Sequence, residues 1–111
     1  MPRATGIIQE EETTTPTFVG MLSWTDQGVR SVKDTPKRIQ AARERAKKLG
    51  VDIKHVFLTT GEFDILVIAE AKDGDAMAKM AMMAGAEGNV RTRTIRAWTE
   101  PEIAKLISEL P

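Results

Sequence analysis

The residues best suited to chemistry surround a glycine, in the segment Thr60-Gly61-Glu62-Phe63-Asp64. A carboxylate can act as a general base or hold an amine, and a glycine leaves nearby backbone N–H groups open to an anion. Together these groups could hold a small zwitterion. A structural interpretation is simpler: Gly61 supplies the positive φ of a hairpin turn, and Asp64 pairs with Arg91 or Arg93 of the same chain. Both interpretations stay open, and we expect the internal ion pair.

His55 is the single histidine and the other candidate for a base. Strand alternation places it on the face that carries Ile53 and Phe57, so we expect it to be partly buried. A general base also needs a partner carboxylate and a pocket, and a lone strand histidine is more often structural. We therefore predict no catalytic residue; if the chain were an enzyme, His55 or Asp64 would be its base.

Composition excludes several other kinds of site. The chain has no cysteine, which excludes disulfides, thiolate catalysis and zinc–thiolate centres. One histidine and scattered carboxylates without metal-loop spacing predict no metal site. There is no glycine-rich phosphate loop and no nucleophile elbow, so no cofactor is predicted.

The charges predict neither a nucleic-acid nor a membrane partner. Lys+Arg and Asp+Glu both number 16, so no overall field attracts the chain to anionic polymers or lipids. The basic run from Arg30 to Lys48 is interpreted as a solvated helix face, since no stacking aromatic residues interleave with it. No signal pattern or membrane-length apolar run occurs, and a cytoplasmic location is the default expectation.

The elements that position these groups follow from periodicity and turn signals. Polar residues 1–16 predict a flexible arm, or alternatively an extra strand anchored by Ile7 and Ile8, and residues 17–111 form one domain. The predicted elements are a strand over Thr17–Trp24, a short helix capped by Thr25, a break near Asp34, a helix over Pro36–Leu49, strands over Val51–Thr59 and Phe63–Ala71, a helix from Asp73 to Gly85 or Gly88, a strand over Asn89–Trp98 and a helix over Glu100–Leu110. This order predicts an α+β, ferredoxin-like βαββαβ fold with an antiparallel four-stranded sheet and an extra C-terminal helix.

Apolar residues fall on both faces of the predicted sheet. In the third strand Ile65 and Val67 share one face, whereas Leu66 and Ile68 lie on the other. A sheet covered on one face only alternates cleanly between apolar and polar residues. We therefore predict a homo-oligomer, at least a dimer packed through the sheet face.

Two further apolar groups are expected to be buried. We predict that the final helix buries a stripe of its own and that Trp98 packs beneath it; the stripe consists of Ile103, Leu106, Ile107 and Leu110. A methionine cluster is expected to fill the core and an interface; it consists of Met77, Met80, Met82 and Met83.

Three segments are expected to form a ligand site: residues 24–28, 60–64 and 91–94. A tryptophan above a helix N-terminus can line a pocket for an anion, and the arginines lie nearby. The predicted ligand-binding residues are Trp24, Thr25, Gln27, Thr60, Gly61, Phe63, Asp64, Arg91, Thr92 and Thr94.

The chain resembles the GYD domain family from Thr17 to Glu100. Four blocks in the family's order carry the resemblance: Trp24-Thr25-Asp26-Gln27-Gly28, Val32-Lys33-Asp34-Thr35-Pro36-Lys37-Arg38, Thr60-Gly61-Glu62-Phe63-Asp64 and Gly88-Asn89-Val90-Arg91-Thr92-Arg93-Thr94. The family's Gly-Tyr-Asp is Gly61-Glu62-Phe63-Asp64 here, so phenylalanine replaces the tyrosine and its hydroxyl is lost. The resemblance implies a ferredoxin-like α+β fold and no established activity.

A second resemblance is to the effector-binding domain of the leucine-responsive, feast-famine transcription regulators. It implies an amino-acid site between subunits, although residues 1–16 cannot supply the helix-turn-helix that those regulators carry. Dimeric α/β-barrel enzymes share the same fold plan by analogy. We therefore predict an oligomeric module that binds a small polar metabolite or simply assembles; the alternative is a small cofactor-independent oxygenase or isomerase.

Overall fold

A computed structural model of the protein describes residues 15–111. The predicted arm, with its alternative strand around Ile7 and Ile8, lies outside the described residues except for Thr15 and Pro16. The described chain forms β1 (Thr17–Trp24), α1 (Asp26–Arg30), a 3₁₀ turn (Val32–Asp34), α2 (Thr35–Lys48), β2 (Val51–Leu58), β3 (Ile65–Ala71), α3 (Gly74–Ala86), β4 (Val90–Ala97) and α4 (Glu100–Ser108).

The four strands form one antiparallel sheet in the order β2-β3-β1-β4. The first and third strands are therefore central, and the two helices α2 and α3 that connect the strands pack on the same face. This is the α+β ferredoxin-like fold with an additional C-terminal helix, as the sequence predicts.

Local signals set the ends of the first two helices. The Thr25 side chain accepts a hydrogen bond from the Gly28 N–H at 3.1 Å, as expected of an N-cap residue. Pro36 lies in the first turn of α2, and the 3₁₀ turn before it is the break predicted near Asp34. Gly50 has a φ of +83°, so it ends α2 in the left-handed conformation that glycine adopts without strain.

The core between the helices and the sheet combines a few larger side chains with many small ones. Phe18 and Val51 contribute from the sheet, and Met77 and Met80 contribute from α3. The remaining buried members are Ala46, Ala69, Ala71 and Ala76. Met77 and Met80 thus fill the core as predicted, whereas Met82 points outward with 67% of its surface exposed. Because alanine side chains fill little volume, the same layer also contains a cavity.

A bulge in β2 changes which of its residues share a face. The pairing of β2 with β3 shifts between Ile53 and His55, which leaves Lys54 as an extra residue. Ile53 and Val56 therefore face the helices, whereas His55 and Phe57 face away. The prediction that His55 shares a face with Ile53 is wrong for this reason, since it assumed unbroken alternation along the strand.

Helix α4 is well capped but has no buried residue. Thr99 and Glu102 form a capping box, in which the Thr99 N–H donates to Glu102 Oε1 at 2.7 Å. The prediction that α4 buries its apolar stripe is wrong for the described chain. Trp98, which was expected to pack beneath this helix, is 49% exposed. The physical reason is that α2 and α3 already cover one face of the sheet and α4 does not fold back over the other, so its stripe has no partner surface within residues 15–111. Neither α4 nor any other helix within residues 15–111 has the length and apolar character needed to cross a bilayer.

Candidate functional site

The predicted corner lies at one end of the sheet, where β1 and β2 end and β3 and β4 begin. Asp64 ties these elements together through its backbone: its N–H donates to Leu22 O at 2.9 Å, and its carbonyl accepts from the Thr59 N–H at 2.8 Å. Its carboxylate oxygen Oδ2 accepts a hydrogen bond from the Trp24 N–H at 2.9 Å. Asp64 therefore joins the end of β1 to the start of β3.

The expected ion pair of Asp64 with Arg91 or Arg93 is wrong: within the described residues neither arginine forms an ion pair, and the carboxylate bonds to the backbone of β1. The last β1–β3 pair is Leu22 with Ile65, so the Trp24 N–H lies beyond the ladder and needs an acceptor. The carboxylate of Asp64, one residue before β3, provides it.

Gly61 has a φ of +98°, and a Cβ placed there would have no atom within 4 Å. The structural role expected of this glycine is thereby confirmed, because only its backbone conformation restricts the residue type. The turn is closed by the Thr59 hydroxyl, which donates to Phe63 O at 2.5 Å.

The segment after β1 uses its polar groups to hold the start of β4. The Thr25 hydroxyl donates to Gly88 O at 2.5 Å while accepting from the Gly28 N–H. Gln27 Nε2 donates to Glu87 O at 3.1 Å and to Asn89 Oδ1 at 2.9 Å. These contacts serve the fold, so Thr25 and Gln27 have little hydrogen-bonding capacity left for a ligand.

The structure distributes the predicted ligand-binding residues over three concave regions. One outer pocket is bounded by five of them: Trp24, Thr25, Gln27, Arg91 and Thr92. A second outer pocket contains Phe63, Arg91 and Thr92 together with Glu62 and Arg93. Thr94 lines a third, inner region between the sheet and the helices, together with Trp24 and Thr92. The remaining three predicted residues, Thr60, Gly61 and Asp64, line none of these regions.

His55 lies exposed on the sheet face that points away from the helices. Its ring stacks on Phe57, with centroids 6.0 Å apart and an interplanar angle of 19°. The predicted partial burial is wrong, because the bulge turns the side chain out of the core. In the part of the chain that the structure describes, His55 has no carboxylate partner, and no group of three His, Asp or Glu residues could hold a metal ion.

The same sheet face has an apolar centre, and we call it the open sheet face. By strand register its apolar members are Val19, Met21, Phe57, Leu66, Ile68 and Ile95. Phe57 and Ile95 are 50% and 52% exposed, so no other part of the described chain covers them. Sequence reasoning identified the β3 members but missed Val19, Met21 and Ile95, which the alternation within β1 and β4 could have revealed.

Two diagonally opposite corners of the open sheet face are charged. Arg91 and Arg93 form a basic corner where β4 begins, and Asp52 and Glu70 form an acidic corner at the far end of β2 and β3. Lys54 Nζ lies 3.0 Å from Asp52 and 3.9 Å from Glu70. The hydrogen bond and charge of Asp52, with the charge of Glu70, raise the pKa of Lys54, so it stays cationic at neutral pH. Two carboxylates and one ammonium leave this corner with one net negative charge.

Replacing Asp64 with alanine is expected to destabilise the protein by about 2 kcal/mol, because it leaves the Trp24 N–H without its charged acceptor. Thermal unfolding measures this as a decrease of roughly 8 °C in Tm. Asp64→Asn keeps an acceptor oxygen and is expected to lose less. Glu62→Ala, at an exposed neighbour, is the control and should leave Tm unchanged; equal Tm values for Asp64→Ala and Glu62→Ala would contradict the role given to Asp64.

Comparisons with known proteins give three findings. The family model of the GYD domain matches residues 18–107. The "Glutamine synthetase and cystathionine beta-lyase binding protein" of Thermus thermophilus is 27% identical over 96 residues, which are 86% of this chain and 98% of that protein. A crystal structure of a glutamate-to-alanine mutant is similar in fold, with a TM-score of 0.52 at 14% identity over 88% of this chain. The match spans 65% of that solved chain and shows the fold alone.

Proposed function

The chain belongs to the GYD domain family, and from this premise we propose that it is an oligomeric assembly module whose open sheet face binds a second copy of the chain. The observation that carries the proposal is the apolar centre of that face, with Phe57 and Ile95 half exposed. An exposed apolar surface bordered by charges is typical of a protein interface. In this role the module performs no chemistry of its own.

Charge complementarity on the open sheet face favours a second copy as its occupant. The basic corner, Arg91 and Arg93, and the acidic corner, Asp52 and Glu70, lie at opposite ends of one diagonal. A two-fold axis along the other diagonal places the basic corner of each protomer over the acidic corner of its partner. The strands of the two sheets then cross at a large angle, which is one of the two common ways in which sheets pack.

Strand features favour packing through the face over pairing through an edge. The edge strand β2 carries a bulge and the cation Lys54, which both hinder addition of another strand. The other edge strand, β4, carries three arginines, Arg91, Arg93 and Arg96. The face is therefore the surface that supports the proposal.

The proposal predicts a dimer that an aspartate at the centre of the face disrupts. Ile68→Asp would bury an unpaired carboxylate in the interface, so we expect its dimer dissociation constant to rise about 100-fold or more. Sedimentation equilibrium over a range of concentrations measures this constant. Met82→Asp introduces the same charge at an exposed apolar residue of α3 and is the matched control, expected to leave the constant unchanged.

Charge reversal tests the arrangement of the two copies. Glu70→Arg and Arg93→Glu should each weaken the dimer, and combining them should restore much of its affinity, because the two positions face each other across the interface. A wild-type protein that sediments as a monomer throughout, or an Ile68→Asp variant as dimeric as the wild type, would contradict the proposal.

The relative from Thermus thermophilus supports extending the assembly role to protein partners. That relative is described as a binding protein for two enzymes and is matched over 98% of its length. We therefore propose that the assembled module also binds other proteins, enzymes among them. Co-sedimentation with purified glutamine synthetase tests this extension, which would fail if the two proteins sedimented independently at low salt.

A small polar metabolite at the corner is a further predicted role, and it stays a prediction. Thr25, Gln27 and Asp64 make hydrogen bonds within the fold, whereas Arg91 and Arg93 form no ion pair among residues 15–111. The two arginines are the groups that would bind such a molecule. The alternative of a small cofactor-independent enzyme has no observation in its favour, and we do not propose it.

A further inference from the structure

A partly open cavity of about 130 Å³ lies between the sheet and helices α2 and α3, on the side opposite the open sheet face. Its walls are mostly apolar and come from all four strands and both helices. A dry apolar cavity of about 150 Å³ is known to hold a benzene molecule, so this volume suits a group of roughly five or six carbon atoms. The cavity is thus large enough for a small organic ligand.

Part of the space beside β1 is present because Gly20, in the cavity wall, has no side chain. Gly20 is buried in β1, where glycine weakens a strand, and its φ is not positive. A Cβ there would meet Leu22 at 3.4 Å and Val67 at 3.7 Å, which are ordinary contacts. Neither backbone conformation nor crowding therefore requires glycine at this position, and its effect is to leave the cavity open.

Two arginines and one glutamate supply the charges of the cavity wall. Arg45 Nη2 pairs with Glu87 Oε2 at 2.5 Å, while Arg45 Nε is buried without a hydrogen-bond partner in the described chain. Arg38 donates to Ser31 Oγ at 2.9 Å and to Gly28 O at 3.3 Å, both of which are uncharged. Glu87 thus balances one arginine, and one net positive charge remains at the wall.

Two hydroxyl groups add polar partners on the floor of the cavity. Thr92 and Thr94 lie on the helix-facing side of β4, and both line the cavity. Neither side chain hydrogen-bonds to another residue in the range 15–111, although both are partly buried. Unpaired polar groups beside an apolar volume are suited to fix the orientation of a ligand that carries one polar end.

We propose that this cavity binds a small monocarboxylate whose apolar tail, branched or aromatic, has about five or six carbons. The tail fills the space above Gly20, and the carboxylate binds the guanidinium groups of Arg38 and Arg45. One negative charge matches the one net positive charge of the wall. The site is independent of the proposed assembly role, since it lies on the other face of the sheet.

Titration calorimetry with the wild-type protein and 4-methylpentanoate tests the proposal. We expect saturable binding and, at a free concentration roughly a hundred times Kd, a Tm raised by about 10 °C. The neutral amide of the same acid should bind at least tenfold more weakly, because it lacks the charge that the arginines attract. Leucine, with the same tail, should also bind more weakly, because its ammonium group is repelled by the arginines. Equal binding of acid and amide, or no binding of 4-methylpentanoate or benzoate, would overturn the proposal.

Variants separate the two halves of the site. Gly20→Ala fits the available space and should reduce the affinity for 4-methylpentanoate several-fold. Ala42→Leu places a larger side chain at the cavity wall and should abolish binding.

Arg38→Gln should reduce the affinity for the acid at least tenfold without affecting the affinity for the amide. Arg30→Gln, on an exposed residue outside the cavity, should leave both affinities unchanged. An Arg38→Gln variant that binds the acid as tightly as the wild type would contradict the assignment. The dimer dissociation constant of Gly20→Ala should equal that of the wild type. A failure of the ligand proposal can therefore be told apart from a failure of the assembly role.

Discussion

Replacing Gly28 with alanine is expected to destabilise the protein by about 3 kcal/mol or more, the largest effect expected of an added methyl group at any glycine within residues 15–111. A Cβ at this position would lie 2.0 Å from Asn89 O and 2.9 Å from Asn89 C. Both atoms belong to the backbone, so no side-chain rotation can relieve the clash. The helix α1 and the start of β4 would have to separate.

This separation would break several contacts at once. The Thr25 N–H donates to the same Asn89 carbonyl at 3.1 Å, and Gln27 holds the side chain of Asn89 at 2.9 Å. Chemical denaturation measures the loss as a lower midpoint at unchanged m-value. Gly85→Ala is the matched control, since a Cβ at Gly85 meets no atom within 4 Å and alanine is the better helix former. Similar midpoints for the two variants would show that no close approach of the backbone requires glycine at position 28.

Replacing Met77 with alanine is expected to destabilise the protein by about 3 kcal/mol, within the range of roughly 2–5 kcal/mol for methionine-to-alanine changes in cores. Met77 is 7% exposed and packs in the core between α3 and the sheet. Its loss removes apolar contacts and enlarges the space beside a core that is already rich in alanine. Tm is expected to fall by roughly 12 °C.

Met82→Ala provides the control on the same helix. Met82 is 67% exposed, so its truncation is expected to change the free energy of unfolding by less than about 0.5 kcal/mol. Equal destabilisation by the two substitutions would mean that Met82 is buried in solution. In that case the interface of the oligomer would lie on α3 and not on the open sheet face.

Local chemistry accounts for the part of the fold that the sequence predicts well. Thr25 caps a helix, and Gly50 and Gly61 adopt positive φ, because each of these preferences depends on a few neighbouring residues. The alternation of β3 is also correct, since Ile65 and Ala69 are buried on the helix side. These short-range signals suffice to predict the βαββαβ order.

Contacts between distant segments account for the features that the sequence does not predict. The bulge at Lys54 depends on how β2 pairs with β3, and no residue near it signals an extra position. The partner of Asp64 is a backbone N–H 40 residues away, which no residue pattern shows. The cavity lies between Gly20 and helices α2 and α3. The residues next to Gly20 in β1 do not indicate that these helices pack over it.

The sequence by itself determined the family, the order of the elements and the segments that meet at the corner, because helix caps, glycine turns and apolar periods act over a few residues. Only the tertiary structure decided that Asp64 holds β1 to β3, that His55 is exposed, and that an apolar cavity with arginines in its wall lies between the sheet and the helices. The reason is physical: hydrogen bonds, bulges and cavities depend on which distant groups come within a few ångströms of one another.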